Sequence, residues 1–251
     1  MKPGKSQRLF TAGLAALLAV ALNGCLINRA IAVRDQFCDF DSNFSLQFSD
    51  SVVFDFHQPV LLDADVLWLA GADPTETIEN GKTRRMIFVL EKDVDQPDPS
   101  TNLQIELGFE LLDGKYRLAE VQFDPRLNSI MNPETLDHAA ITAASQSMCD
   151  TGRNGLSRQL EFDMSGQQLD TLPGRSEILE ILGPPTDQDI VDDSFTYQYR
   201  LKGQQSDPVR ARFTVWFDQT GNNMARMESH YSHFHTSTNF LEKVMRIEIN
   251  I

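Results

Sequence analysis

Residues 175–201 read RSEILEILGPPTDQDIVDDSFTYQYRL, and the hydrophobic period changes partway along them. Ile178, Leu179, Ile181 and Leu182 recur at helical spacing, and Ser176 is placed to cap the helix they would form. Gly183 can take a left-handed cap, and Pro184 and Pro185 prevent continuation. The pattern then changes to period two. Phe195, Tyr197, Tyr199 and Leu201 share one face, with Thr196, Gln198 and Arg200 on the other. A short helix, a Gly-Pro stop and a half-buried strand predict an α+β class, with short helices packed on an antiparallel sheet.

The same patterning extends in both directions. Phe213, Val215 and Phe217 alternate, and Met245, Ile247, Ile249 and Ile251 predict a last strand. Upstream, Met86, Phe88 and Leu90 precede Leu103, Ile105, Leu107, Phe109 and Leu111. Asn80-Gly81, Asp113-Gly114 and Thr220-Gly221-Asn222 are turn sequences. Several of these features occur twice at a period near 111 residues. Cys38-Asp39 recurs as Cys149-Asp150, and Pro74-Thr75-Glu76 as Pro185-Thr186-Asp187. Phe88 and Leu90 recur as Tyr199 and Leu201. The reading is two tandem units, 37–131 and 149–251, joined by a helix over 132–148. Asn132 caps that helix, and Pro133 takes its first position.

The amino terminus has a different character. Lys2, Lys5 and Arg8 precede an apolar run from Leu9 to Leu22. That run is shorter than the roughly 20 residues a bilayer-spanning helix needs. The order of charge, short apolar segment and small residue is that of an export signal over residues 1–24. Leu22-Asn23-Gly24-Cys25 resembles the bacterial lipobox, which implies acylation of Cys25 and a lipidated tether over 25–36. More than one acyl chain makes such an anchor stable. Leu26, where an Asp would signal inner-membrane retention, points to a periplasm-facing address at the outer membrane. Loss of Lys2, Lys5 and Arg8 takes the net charge from −14 to −17. A body this acidic repels nucleic acid, which is therefore not an expected partner.

The helix from Glu177 to Leu182, Gly183-Pro184-Pro185, Phe195 to Tyr199, and Thr214-Val215-Trp216-Phe217-Asp218 running to Gly221 resemble the outer-membrane-assembly lipoproteins of the BamE/SmpA type. The likeness covers roughly residues 170–230. It implies a non-enzymatic, partner-binding lipoprotein whose partners are envelope proteins. Two such units in tandem also resemble, at the level of fold, secreted β-lactamase inhibitor proteins. That likeness keeps open a periplasmic inhibitor or ligand-binding lipoprotein using the surface between the units.

Few residues suggest chemistry. Cys38 and Cys149 remain after lipidation of Cys25. In an oxidising compartment they either pair or stay as separate buried thiols. His230, His233 and His235 lie close together, and on one strand His233 and His235 would share a face. Two imidazoles at that spacing can contribute to a metal site, or they are solvated at an edge. Trp68, Trp216 and Tyr231 are candidate partner-surface aromatics, or sheet packing. Asn80-Gly81-Lys82-Thr83 lacks the earlier glycine of a phosphate loop, where Glu76 stands. No catalytic motif and no cofactor motif is present, and no cofactor is expected.

Overall fold

The computed structural model describes residues 29, 32–33, 35–36, 38–130, 159–163, 172–203, 210–221, 223–232 and 234–249. The predicted export signal, the helix over 132–148, Cys25, Cys149 and His233 all lie outside the described residues.

The α+β expectation is corrected. Among the described residues thirteen antiparallel strands form one sheet, and the helices are minor. The first half contains α1 (Phe40–Asn43), β1 (Phe44–Phe48), β2 (Val52–Phe56), α2 (Asp63–Ala70), β3 (Glu76–Asn80), β4 (Thr83–Lys92), β5 (Leu103–Leu112) and β6 (Lys115–Phe123). The second half contains β7 (Gln159–Asp163), α3 (Arg175–Leu182), β8 (Asp187–Asp189), β9 (Ser194–Leu201), β10 (Arg210–Phe217), β11 (Met224–Tyr231), β12 (Phe234–Asn239) and β13 (Val244–Ile249). The main path runs β1-β2-β6-β5-β4-β9-β10-β11-β12-β13-β7, with β3 on β4 and β8 on β9. A helix of eight residues buries one stripe of two turns, whereas the alternating strands bury one face along their whole length. The sheet therefore dominates.

Local chemistry sets the helix ends. The α3 helix starts after Gly174, whose N–H donates to the Glu177 carboxylate at 2.8 Å. Ser176 lies inside the helix rather than capping it, because Glu177 reaches back and takes the capping role. In α2 the Asp65 carboxylate does the same for the Leu62 N–H, at 2.9 Å. Gly71 then closes α2 at φ 65°. Ile178 is fully buried and Leu182 nearly so, which seats α3 on the core side of the sheet.

The two halves meet edge to edge. Leu90 pairs with Leu201, Glu91 with Arg200, and Lys92 with Tyr199. A twofold operation exchanges the outer two pairs, with Glu91 and Arg200 at its centre. Hydrogen bonds follow the same symmetry. Thr75 donates its N–H to Ile87 O and accepts from Val89 N; Thr186 donates to Thr196 O and accepts from Gln198 N. The Leu118 N–H reaches Leu61 O at 2.8 Å, and the Met224 N–H reaches Pro173 O at 3.1 Å. These bonds match Phe88 with Tyr197 and Leu90 with Tyr199, correcting the pairing read from the sequence by two residues. A slip of two keeps every side chain on its own face, so hydrophobicity alone could not detect it.

One core runs beneath both halves. It includes Met86, Phe88, Phe109 and Leu118 from the first, and Ile178, Phe195, Tyr197, Tyr199 and Val215 from the second. An aromatic group of Phe40, Phe44, Phe54 and Phe56 packs at the β1–β2 end, with contacting ring centroids 5.1 to 5.9 Å apart, and joins the core through Phe56. At the junction Lys92 is only 4% exposed. Its ammonium donates to Pro184 O at 2.6 Å and lies 5.2 Å from the Tyr197 ring centroid. Burial, and then the charge of Arg126, lowers its pKa. Burial alone would raise Asp124. Hydrogen bonds from the Arg126 side chain and from the Arg126 and Gln104 N–H groups outweigh it and hold the carboxyl below the usual range.

Two buried tyrosines at this junction differ in one respect. The Tyr197 hydroxyl donates to Gly183 O at 3.2 Å, while the Tyr199 hydroxyl meets no hydrogen-bond partner among the described residues. An unsatisfied buried hydroxyl costs about 1–3 kcal/mol, and a satisfied one contributes about 1 kcal/mol. Tyr199→Phe is therefore expected to leave the urea midpoint unchanged or raise it. Tyr197→Phe should lower stability by about 1 kcal/mol. Equal losses in both variants would show that the Tyr199 hydroxyl is bonded after all.

Candidate functional site

The face of the sheet opposite the core is mostly polar, with Ile87, Val89 and Trp216 among the large apolar side chains on it, and its side chains align in rows across strands. Arg212 of β10 pairs with His230 of β11, His230 with His235 of β12, and His235 with Glu248 of β13. The next row is Thr214, Glu228, Ser237 and Arg246, and the third begins with Trp216 and Arg226. Side chains on one face repeat every two residues, so these rows stand side by side. They border an open cavity of about 340 Å³ lined by Arg212, Thr214, Glu228, Ser229, His230 and His235. A smaller one of about 200 Å³ shares Glu228 and His235 and continues to Arg246 and Glu248, making one trough.

The histidine geometry differs from the sequence expectation. Residues 230–235 are not one strand: β11 turns back into β12, with Ser232 at φ 49°. His230 and His235 become cross-strand partners with ring centroids 6.1 Å apart, so His230 faces the same way as His235. His235 Nδ1 stands 3.9 Å from a Glu248 oxygen. Among the described residues no group of three or more His, Cys, Asp or Glu side chains is arranged to hold a metal.

The candidate aromatics are dispersed. Trp68 lies on α2 and is 47% exposed. Trp216 lies on the outer sheet face, where the Arg226 guanidinium covers its ring at 4.6 Å. Tyr231 points to the core side and donates its hydroxyl to Ala70 O at 3.0 Å, tying β11 to α2. Burial pushes the Tyr231 phenol up to about 12, and burial raises Tyr197 and Tyr199 further still. A phenol whose folded pKa lies above its unfolded value stabilises the fold below about pH 10, and that contribution is lost as pH rises through the folded value. Alkaline unfolding should therefore coincide with the appearance of phenolate absorbance from Tyr197, Tyr199 and Tyr231. Phenolate absorbance from all four tyrosines in a still-folded chain would contradict this.

Charge is segregated on the outer face. Asp55, Glu91, Glu106, Glu110 and Glu120 occupy it in the first half, beside Arg117, which is opposite Glu110, and Arg85, which pairs with Glu106 at 3.2 Å. Arg200, Arg210, Arg212, Arg226 and Arg246 outnumber Glu228 and Glu248 on it in the second half. Arg210 reaches Asp93 at 3.1 Å, and Arg226 pairs with Glu228. Sequence reading missed this patch. Its arginines are spread over four strands, and the chain's overall acidity hides them. Knowledge of the β10–β11 register was the signal needed.

Cys38 is disulfide-bonded. No family model, curated protein or solved structure matches the chain.

Proposed function

We propose that this chain is a lipid-anchored, non-enzymatic binding or scaffolding module of the bacterial envelope, and that its partner docks on the outer face of the sheet. The observation that carries the reading is the outer face itself: one open, polar surface crossing both halves, acidic at one end and arginine-rich at the other. Such a surface favours electrostatic steering and registered docking over enclosure of a small substrate. The lipobox of residues 22–25 supports the anchor, and the likeness of residues 170–230 to BamE/SmpA-type lipoproteins supports a role in outer-membrane assembly or maintenance.

Arg29 adds a second support. Its guanidinium binds both Asp65 oxygens, at 2.5 and 2.6 Å, although Asp65 is nearly buried in α2. Farther on, the Gln36 amide donates to Gln58 O at 2.7 Å. The chain is thus fastened to the body four positions after Cys25, and four residues span at most about 14 Å. A body anchored through Cys25 would stand close to the bilayer.

Photocrosslinkers at Arg85 and Arg226, in cells with intact export machinery, test the reading. Capture of envelope assembly or maintenance proteins from both positions, by a protein carrying acyl mass at Cys25, is the expected result. A mature chain that begins at Met1 without acyl mass would remove the anchor. Capture from neither position would remove the docking face.

A further inference from the structure

We propose that the trough over β10, β11 and β12 is a binding site for a phosphate-bearing ligand, with Arg212 as its fixed charge and the His230–His235 pair as proton-dependent donors. The inference rests on the binding-module reading and deepens it by naming the ligand chemistry. It does not depend on the lipid anchor.

Three observations support it. Arg212 is exposed and makes no ion pair or hydrogen bond among the described residues, whereas Arg85, Arg200, Arg210 and Arg226 on the same sheet face all have carboxylate partners. Arg212 also stands at one end of the row that continues through His230 and His235, and this row lines the larger cavity. Thr214, whose hydroxyl also pairs with that of Thr196 at 3.2 Å, and Ser237 bring hydroxyls to the trough from the next row. Guanidinium, two imidazoles and the Thr214 hydroxyl line one cavity from three strands, with the Ser237 hydroxyl in the cavity beside it. That is more donors than the two oxygens of a carboxylate accept, and it suits the three terminal oxygens of a phosphate group.

The charged groups around the trough define how it should respond to protons. Arg212 comes from β10, Arg226, Glu228 and His230 from β11, His235 from β12, and Arg246 and Glu248 from β13. Thr196 and Gln198 of β9 are neutral, and Gln159 and Glu161 of β7 occupy the register positions beyond β13. With neutral imidazoles, Arg212, Arg226 and Arg246 face two carboxylates, of which Glu228 is engaged by Arg226 and Glu248 stands 3.9 Å from His235. Imidazole is the side chain that ordinarily gains its charge between pH 8 and 5. Two neighbouring imidazolium rings repel each other, and an anion placed between them relieves that repulsion. Anion binding and proton uptake are therefore coupled, and each favours the other.

The test uses the full-length protein purified in detergent and isothermal titration calorimetry. Inorganic phosphate is the first probe. Sulfate is the second, because it stays a dianion across the pH range and so isolates the protein's own titration. Saturable phosphate binding is expected near pH 6. Sulfate should bind about tenfold more weakly near pH 8. Arg212→Ala should weaken both anions about tenfold or more, with partial rescue in Arg212→Lys. Arg85→Ala, outside the trough, should leave the affinity for both anions unchanged. The double variant His230→Gln with His235→Gln should abolish the pH dependence. All of these positions are at the surface, and unchanged circular dichroism confirms folding. Two further arms separate the sources of the phosphate. Binding of glycerol 3-phosphate in solution indicates a soluble ester. Arg212-dependent association with phosphatidate vesicles indicates a lipid headgroup. No saturable phosphate heat near pH 6 would overturn the proposal, as would affinity unchanged in Arg212→Ala. Saturable Zn²⁺ binding through the histidines with no anion binding would also overturn it.

Discussion

Gly183→Ala is expected to cost about 2–4 kcal/mol, a large share of a typical domain's stability. Gly183 stands at φ 70°, ψ −166°, a region that only glycine occupies without strain. A Cβ there would also lie 3.2 Å from Lys92 Nζ and 3.2 Å from Thr101 Cγ2. Neither neighbour can move freely. Lys92 is buried and bonded to Pro184 O, and Thr101 is held by its hydroxyl on Asp98 O at 2.8 Å. The Gly183 carbonyl itself accepts from Tyr197. Backbone strain, crowding and loss of a buried hydrogen bond would thus coincide where the halves join. Gly81→Ala is the control. Its φ of 61° is also positive, but no atom lies within 4 Å of the added carbon, so it should cost only about 1 kcal/mol. Urea unfolding of both variants separates the effects. If the two losses are equal, the close approach of Lys92 and Thr101 contributes nothing.

The strands legible in the sequence were those with clean alternation and apolar inner faces, such as β4, β5, β9 and β10. Those missed had a physical reason to be missed. In β6, Tyr116 and Leu118 face the core, but so do Val121 and Phe123, because Ala119 is an extra residue opposite the Gly108–Phe109 step. In β11 Ala225 plays the same part opposite Trp216–Phe217. Each bulge shifts the parity of its strand, and a fixed period then reads as noise. In β12 the inner positions are Thr236 and Thr238, and the Thr236 hydroxyl is paired with Ser229 at 2.6 Å. A polar inner face leaves no hydrophobic period to find. These omissions, with two eight-residue helices weighed as heavily as strands, produced the α+β expectation.

The halves share geometry but not charge, and this shapes the candidate site. Equivalent bulges present Glu120 outward in the first half and Arg226 in the second. The ion pair that fastens each helix to its sheet is reversed: Asp63 with Arg84 in the first, Arg175 with Asp193 in the second. Arg84 covers the Tyr116 ring at 4.0 Å, and Arg175 covers Phe195 and Phe217. The packing role of a cation over an aromatic survives exchange between helix and strand. On the outer face no packing constrains the side chains, and there the halves diverge into an acidic and a basic end. The β11–β12 hairpin then supplies His230 and His235 beside Arg212.

Cys38→Ser should be the other severe substitution, and its magnitude identifies the second sulfur of the bond. Cys38 is bonded, and the chain holds only Cys25 and Cys149 besides. Cys149 stands 111 positions away and Cys25 only 13. In the chain-entropy account the longer loop is stabilised by about 4–5 kcal/mol and the shorter by about 3 kcal/mol. The anchor reading requires the Cys25 sulfur to carry lipid, which leaves Cys149. Cys149→Ser should then match Cys38→Ser at about 4 kcal/mol, and the double variant should lose no more than either. Cys25→Ser should release the protein from membranes while its urea midpoint stays in place. The opposite pattern, in which Cys25→Ser matches Cys38→Ser and Cys149→Ser is silent, would place the Cys25 sulfur in the bond. A sulfur so bonded cannot be acylated, and the anchor and the envelope role built on it would both be lost.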